Sequence, residues 1–363
     1  MLKEKLDSAF AFLQTKSPPL IGVDISSSAL KMVELSETGR GSYRLERYAI
    51  EPLPKDVVAD GNIANLDQVI EALRRAYKRL GTRNRNIAMA LPTAMVITKK
   101  IIVPAGQSEE ELELQVEAEA NQYIPFALDE VNLDFQILGP APNNPEEVEV
   151  LIAASRKEKV EDRVAIADAA GLRPRVMDVE SYATEEAFVM ISPSLPANGR
   201  DQNIALVDIG AHVMHFYVLR NNQILFSRDQ AFGGNQLTHD IQRAFNLSPE
   251  EAESAKKNAG LPENYDADVL QPFMETLALE VTRALQFFFT STSYSQVDQV
   301  VLAGGCALLP GLDELVAKRA GVSTIVANPF ANMAGSDRIR PRQLAADAPL
   351  LLIACGLALR GFE

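Results

Sequence analysis

The chain has 363 residues, enough for about two domains, and its 47% hydrophobic and 23% charged residues exclude an intrinsically disordered protein. Its formal net charge of −14 argues against general attraction to nucleic acid or anionic lipid, although it leaves room for a local basic site. Cys306 and Cys355 form no CxxC pair, which argues against structural zinc and a disulfide framework and favours a reducing cytoplasm.

The predicted elements begin with a helix at residues 2–14, where apolar residues recur at helical spacing before two prolines. Two interpretations of this helix stay open: a packing or tail helix, and a helix that binds a membrane surface or a partner. The next predicted elements are strands at 20–24, 29–35 and 43–50, an amphipathic helix at 66–80 and a strand at 86–91. The longest strongly apolar run, 348–359, is shorter than the roughly 20 residues that span a bilayer.

Residues 204–226 repeat the pattern of the first two strands, since a strand again ends at an aspartate, turns and returns. A shift of 184 positions places Val23 on Val207 and Leu35 on Leu219. The repeat predicts two related halves that face each other across a cleft. Chance similarity of two β-hairpins is the alternative.

The block between the two copies has a different pattern. A strand at 96–103 precedes a helix that begins with the capping box Ser108 and Glu111. Strands at 131–138 and 148–154 and a helix at 157–170 follow. This order predicts an inserted subdomain of about 80 residues.

The two repeated turns carry the candidate ligands for phosphate and metal. Asp24 is followed by the hydroxyls of residues 26–28 and by Lys31, and Asp208 is followed by Gly210, which permits close backbone approach. Two such turns facing each other are expected to hold a polyphosphate, with Mg²⁺ bound to both aspartates through water. A single Asp-Gly turn is common in ordinary loops, so the prediction depends on the pair.

Three later segments are further candidates. Residues 233–234 precede a helix whose N-terminal amides are predicted to meet phosphate, with a plain tight turn as the alternative. Glu253 lies three and four residues before Lys256 and Lys257, which predicts a binding face or, alternatively, a solvated ion pair. Residues 304–305 end an apolar strand with two glycines, where a planar ring or a sugar can lie against the backbone.

The order of these motifs resembles the actin-like ATPase superfamily, which includes actin, MreB, FtsA, sugar kinases and heat-shock chaperone ATPases. The segments 117–126, 153–157 and 356–361 look like the PilM family of type IV pilus assembly, and the insertion looks like that of FtsA. The resemblance implies an α/β fold, the duplicated, ribonuclease H-like, two-lobed actin-like ATPase fold with an FtsA-type insertion. The implied divisions are an N-terminal helix or tail at 1–19, a first lobe at 20–93 and 177–203, the insertion at 94–176, and a second lobe at 204–363 with an adenine-side subdomain at about 235–300.

The resemblance also implies ATP and Mg²⁺ as cofactors. The implied nucleotide ligands are Asp24, Ser26, Ser27, Ser28, Lys31, Asp208, Gly210, Ala211, Gly233, Gly234, Asn235, Glu253, Lys256, Lys257, Gly304 and Gly305. Glu180 matches the position at which polymerising relatives orient the attacking water. Ser26 stands where many relatives have glycine, and residues 211–214 lack the glycine and threonine that relatives often have, so we expect slow hydrolysis or binding alone.

Two histidines follow the second turn. His212 and His215 are three residues apart, and on a strand they would point to opposite faces, so a metal pair is not predicted.

The function implied by the resemblance is that of a nucleotide-gated adaptor. Its expected partner is the N-terminal cytoplasmic tail of PilN, bound near the strand at 97–103 and the helix at 108–123, with simple core packing as the alternative role of that helix. The expected location is the cytoplasm at the inner face of the inner membrane. A small-molecule kinase and an FtsA-like filament-forming ATPase are the alternative functions.

Overall fold

The structure is a computed structural model that describes residues 19–39, 41–59, 61–142, 144–258 and 260–362. The helix predicted at 2–14 lies outside the described residues. The strands are β1 (Ile21–Ile25), β2 (Ala29–Gly39), β3 (Ser42–Pro52), β4 (Val58–Ala59), β5 (Asn62–Ile63), β6 (Asn86–Leu91), β7 (Ile97–Pro104), β8 (Val131–Ala141), β9 (Asn144–Arg156), β10 (Arg173–Val179), β11 (Ile204–Ile209), β12 (Met214–Arg220), β13 (Gln223–Gln230), β14 (Gln299–Ala303), β15 (Thr324–Val326) and β16 (Ala334–Gly335). The α-helices are α1 (Leu66–Leu80), α2 (Glu109–Tyr123), α3 (Lys157–Ala169), α4 (Glu180–Ile191), α5 (Gly234–Phe245), α6 (Pro249–Asn258), α7 (Gln271–Ser291), α8 (Leu312–Ala320), α9 (Pro341–Asp347) and α10 (Leu352–Leu359).

The first lobe is built on a six-stranded sheet in the order β10-β6-β1-β2-β3-β16. Strands β6 and β10 are parallel neighbours, so the chain between them has to cross over one face of the sheet. Helix α3 makes that crossover and buries Ile166 and Ala167 in the same core as α1. Residues 157–179 therefore pack with the first lobe, and the inserted unit is shorter than the predicted 94–176. Local sequence pattern identified α3 as a helix but contained no signal for the sheet it covers.

The inserted unit is a three-stranded antiparallel sheet, in the order β7-β9-β8, with α2 on one face. Leu112 and Val116 of α2 pack on Val103, Val150 and Ile152 of the sheet. The predicted capping box at the start of α2 is confirmed, because the side chains and backbone amides of Ser108 and Glu111 bond reciprocally.

The second lobe is built on a five-stranded sheet in the order β13-β12-β11-β14-β15. It repeats the pairing of the first lobe: β1 and β11 each have an antiparallel neighbour that follows directly in sequence and a parallel neighbour from later in the chain. Asp24 lies opposite Lys31 in the first hairpin, and Asp208 lies opposite His215 in the second. This repeated topology confirms the predicted duplication.

A shared core joins the lobes, and α10 lies inside it, although residues 352–359 fall within the predicted second-lobe segment 204–363. Helix α10 packs on β1 and α4 of the first lobe and also reaches the residues of β14 that face the first lobe. A side chain at Gly22 would overlap the carbonyl oxygen of Ala354, and one at Gly356 would overlap that of Ala183. Glycine is thus required at both contacts because backbone meets backbone there.

Residues 341–362 are long and apolar enough to cross a membrane by length and composition. In the structure, they are divided into α9, a 3₁₀ turn and α10, and α10 is buried almost throughout. We therefore assign this segment to the protein core. Apolar helices are common in the cores of globular proteins.

Candidate functional site

A cleft of about 400 Å³ lies between the lobes, and both repeated turns line it. The predicted site residues that line this cleft are Asp24, Ser26, Ser27, Ser28, Lys31, Glu180, Asp208, Gly210, Gly304 and Gly305. They come from distant parts of the chain, and the duplicated sheets bring them together because strands β1 and β11 end at the same gap.

The first turn is closed by Ser26, whose amide and hydroxyl both donate to the carbonyl oxygen of Ala29, at 3.1 and 2.9 Å. The ammonium of Lys31 donates to the Asp24 carboxylate at 2.8 Å and to the Ser26 hydroxyl at 2.9 Å. Burial alone lowers the pKa of Lys31, but the charge and hydrogen bond of Asp24 outweigh burial and raise it above its usual value. Lys31 is therefore charged, and it neutralises Asp24.

The second turn has a corresponding cation. His215 lies opposite Asp208 and its Nδ1 is 2.7 Å from the carboxylate of Asp229. Burial opposes protonation, but the bond to Asp229 and the neighbouring carboxylates raise the pKa of His215 to about 9. Burial also raises the pKa of Asp208, and His215 and Lys31 oppose that increase. The imidazolium is therefore the charged partner of the second aspartate at neutral pH.

Glu180 is the first residue of α4 and faces both turns from the wall of the cleft. Burial, followed by the negative charge of Asp24, raises its pKa to about 7. Four carboxylates line the cleft together with the cations of Lys31 and His215: those of Asp24, Glu180, Asp208 and Asp229. Across the described residues, no group of three or more His, Cys, Asp or Glu side chains is arranged to hold a metal directly.

Gly304 and Gly305 directly follow β14 and lie beside the second aspartate. Gly304 has a φ of 79°, and a side chain there would overlap the Asp208 carboxylate and the Ile209 carbonyl oxygen. A side chain at Gly305 would meet nothing within 4 Å, so its backbone faces open space in the cleft. This position is consistent with the predicted contact to a planar ring or a sugar.

Gly233, Gly234 and Asn235 lie behind the second turn and, with Ala211, are not among the described residues that line the cleft. The amides of Gly234 and Asn235 donate to the carbonyl oxygens of Gly210 and Ala211, at 3.0 and 2.9 Å. In this structure these two amides hold the second turn against the start of α5. Their contact with phosphate stays a prediction.

Glu253, Lys256 and Lys257 also lie outside the cleft lining. The Glu253 carboxylate is 2.6 Å from the ammonium of Lys256 and 2.9 Å from that of Lys257. Thr238 of α5 receives a bond from Lys256 and donates one to Glu253, each at 2.7 Å. The ion pair named as the alternative is thus present within α6, and the two hydrogen bonds to Thr238 join α6 to α5.

Sequence patterns did not identify His215 and Asp229 as members of the site, and the argument against the histidine pair was wrong. His212 lies in the turn before β12 rather than on the strand, so both imidazoles line the same cleft. The sequence did contain a signal for His215, because the 184-residue shift that aligns the two halves places Lys31 on His215. Asp229 could not be found in this way, because it is brought to His215 by the pairing of β13 with β12.

The family model described as type IV pilus assembly protein PilM matches residues 22–362 of this chain. The chain belongs to the PilM family. A solved structure of a PilM-PilN type IV pilus biogenesis complex is similar to 96% of this chain and 99% of that chain, with 32% identity and a TM-score of 0.77. The resemblance predicted from the motifs is thus confirmed, and this is an actin-like protein of type IV pilus assembly.

Other relatives share the fold. The ethanolamine utilization protein EutJ of Carboxydothermus hydrogenoformans is 19% identical, with a TM-score of 0.58 over 95% of this chain and 90% of that chain. In sequence, EutJ of Escherichia coli (strain K12) is 28% identical over 41% of this chain, and the cell division protein FtsA of Bacillus subtilis (strain 168) is 24% identical over 66%. The matches span 51% and 52% of these two relatives, about half their lengths. The predicted actin-like α/β fold is confirmed.

Proposed function

We propose that this PilM-family protein binds ATP with Mg²⁺ between its lobes and uses the bound nucleotide to control its binding of PilN. The observation that carries the proposal is the cleft in which two duplicated turns, those of Asp24 and Asp208, present opposed carboxylates with a cation beside each. The similarity to a PilM-PilN complex supports PilN as the partner. Fold alone would not distinguish an adaptor from an enzyme.

The residues present fit a nucleotide with a divalent cation. The cleft offers the carboxylate oxygens of Asp24, Glu180 and Asp208, and oxygen ligands of this kind are the ones that Mg²⁺ prefers. Mg²⁺ usually keeps water molecules between itself and such ligands. When bound, Mg²⁺ would neutralise charge on the phosphates. Lys31 and His215 provide the cations that the phosphate oxygens need on the protein side, and Gly305 leaves room beside its backbone.

Lys31 gives the site a mechanism for sensing phosphate. In the structure its ammonium is held by Asp24 and Ser26. A polyphosphate in the cleft would compete for this ammonium, and its transfer would free the Asp24 carboxylate to bind the water shell of a metal. Because β1 and β2 belong to the first lobe and His215 to the second, simultaneous contact with both cations would favour closure of the cleft.

Hydrolysis, if coupled to this cycle, would use Glu180. A carboxyl group with a pKa of about 7 is half ionised at neutral pH, which suits a group that accepts a proton from water. The second turn, residues 208–214, supplies no side-chain hydroxyl to the phosphates, so we expect turnover to be slow.

The PilN tail would bind at the inserted unit. Among the described residues, β7 pairs only with β9, so its outer edge can accept a further strand, and the buried side of α2 is already used for core packing. Lobe closure would move the second lobe relative to this edge, which is attached to the first lobe. We propose that binding of the PilN tail recruits the protein from the cytoplasm to the inner face of the inner membrane.

A peptide titration tests the proposal. A fluorescently labelled N-terminal PilN tail peptide is titrated against the wild type, Asp24→Ala and the matched control Asp168→Ala, an exposed carboxylate of α3, with and without Mg-ATP. We expect Mg-ATP to change peptide affinity at least about fivefold in the wild type and the control but not in Asp24→Ala. Absence of peptide binding in every state would refute the adaptor. Peptide binding that is unaffected by nucleotide and by the substitution would support an adaptor whose affinity is not controlled by nucleotide.

A further inference from the structure

Two short segments join the inserted unit to the first lobe. Residues 92–96 lead from β6 into β7, and β9 continues directly into α3. The start of the first segment, residues 92–94, also lines the cleft. The hydroxyl of Ser155, near the end of β9, donates to the carbonyl oxygen of Met95 at 2.9 Å and ties the two segments together. A shift of the cleft wall at 92–94 therefore reaches both attachments of the inserted unit.

Thr93 holds the start of α4 from outside that helix. The first amides of a helix need acceptors from side chains or water, and Val179, which precedes α4, has no side-chain oxygen. The hydroxyl oxygen of Thr93 accepts from the amide of Ser181, in the first turn of α4, at 3.1 Å. Since α4 begins at Glu180, Thr93 fixes the turn that presents this carboxyl group to the cleft.

The same hydroxyl contacts the second lobe. Thr93 forms a side-chain hydrogen bond with Tyr217, a buried residue of β12. A hydroxyl oxygen can accept one hydrogen bond while its proton makes another, so both contacts can exist together. Tyr217 lies two residues after His215 on the same face of β12, and the two rings are stacked with their centroids 6.4 Å apart. One hydroxyl thus lies between the helix that carries Glu180 and the strand that carries His215.

Helix α4 also contacts the inserted unit and the second lobe further along its length. The side chain of Tyr182 forms a hydrogen bond with Thr98 of β7. The carboxylate of Glu185 accepts from the amide of Ile224, in β13 of the second lobe, at 2.8 Å. The first two turns of α4 therefore connect the cleft, the second lobe and the strand at which we place the PilN tail.

We propose that Thr93 is a positioning residue that transmits the effect of nucleotide from the cleft to β7. This inference rests on the proposed function and assigns its coupling to one side chain. Closure would displace the second lobe, and Tyr217 with it, relative to the segment in which Thr93 lies. Because this segment leads directly into β7, a hydrogen bond that is kept in one arrangement of the lobes and lost in the other supplies the two-state contact that coupling between two sites requires.

Three conservative variants test this role in the full-length protein. Thr93→Val removes the hydroxyl at almost constant volume, Thr93→Ser keeps it, and Tyr217→Phe removes the bond from the other side. Titrations measure the affinity for Mg-ATP and the affinity for labelled PilN tail peptide with and without Mg-ATP. We expect Thr93→Val and Tyr217→Phe to bind each ligand alone within about threefold of the wild type, while the effect of Mg-ATP on peptide affinity falls from at least about fivefold to below about twofold. Thr93→Ser should retain the wild-type effect.

The matched control is Thr282→Val, because the hydroxyl of Thr282 donates to the carbonyl oxygen of Ala278 within α7, at 2.8 Å. Thermal unfolding monitors the folding of every variant. If Thr93 acts only as a helix cap, Thr93→Val will lower stability and leave the effect of Mg-ATP intact. That result, an equal loss in Thr282→Val, or loss of the effect in Thr93→Ser would overturn the inference.

Hydrogen exchange of residues 97–104, measured by mass spectrometry without peptide, separates this inference from the proposed function. We expect Mg-ATP to change exchange of this strand in the wild type and in Thr93→Ser but not in Thr93→Val. If exchange responds in this way and peptide affinity does not, control of PilN binding fails and the role of Thr93 stands. Exchange that ignores bound Mg-ATP in the wild type, or that responds equally in Thr93→Val, would refute the role of Thr93. A wild type that binds no Mg-ATP would refute both.

Discussion

Lys31 and His215 occupy equivalent places in the two halves of the molecule, each opposite the aspartate that ends the preceding strand. Lysine is charged at neutral pH without help, whereas histidine requires Asp229 to remain charged. The duplicated site therefore reaches similar charge on both sides by different chemistry. At the scale of single residues, the charge of the site depends on which groups hold protons.

The proton on His215 can be observed directly. Asp229→Asn replaces the carboxylate by a neutral amide and removes the negative charge that counters the effect of burial, so we expect the pKa of His215 to fall from about 9. NMR titration of the histidine ring signals measures this, and the chain has only three histidines to assign. An unchanged pKa would show that Asp229 does not maintain the charge, and His239 serves as the internal reference.

Glu180 should make stability depend on pH. The pKa of Glu180 is about 7 in the folded state, above the ordinary value of 4.5. The contribution of this protonated carboxyl to the free energy of unfolding is therefore complete below about pH 4.5 and is lost as pH rises through 7. We expect Glu180→Gln to be more stable than the wild type at pH 8, by up to about 3 kcal/mol, and similar to it near pH 5. Urea unfolding at the two pH values measures this. Glu250→Gln, an exposed control, should behave as wild type, and an equal difference at both pH values would contradict the assignment.

At the scale of elements, α10 owes its position to residues that lack side chains. Gly22 and Gly356 let its backbone touch β1 and α4, and this contact joins the core shared by the lobes. Close packing of this kind leaves no space into which an added methyl group can move. The helix is thereby fixed against the strand that carries Asp24.

Substitution of Gly356 by alanine should therefore destabilise the protein. The added Cβ would overlap the carbonyl oxygen of Ala183, and relief requires movement of one helix, at a cost of about 3 kcal/mol. Gly39→Ala is the matched control, because a Cβ there meets nothing within 4 Å. Thermal unfolding compares the two. Equal unfolding temperatures would show that α10 can shift freely.

At the scale of the whole molecule, the lobes are joined by a common core and separated by the cleft. A ligand that contacts both turns stabilises the folded state by an amount that rises with the logarithm of its concentration relative to its dissociation constant. Closure would also bring Lys31 and His215 to opposite sides of one phosphate chain. The proposed gate is thus a property of the pair of lobes and not of either sheet.

Mg-ATP should raise the unfolding temperature of the wild type. At about 100 times its dissociation constant, a ligand adds about 2.7 kcal/mol to the free energy of unfolding. Asp208→Ala should remove most of this increase, whereas Asp313→Ala, on α8, should retain it. Thermal shift with and without Mg-ATP measures both. An increase that survives in Asp208→Ala would place the nucleotide elsewhere.

The sequence by itself determined the duplicated hairpins, the two aspartates, the glycines beside them and the capped helix of the insertion. These features are local: turn chemistry, strand alternation and capping act within a few residues, so their patterns can be recognised along the chain. The fold and the family followed from the order of those motifs.

Only the tertiary structure decided which distant groups meet. Asp229 reaches His215 through strand pairing, the carbonyl oxygens of the second turn occupy the amides of α5, and α3 crosses over the first sheet rather than belonging to the insertion. Such contacts depend on long-range packing between segments, and local sequence pattern does not encode the partner of a charged side chain.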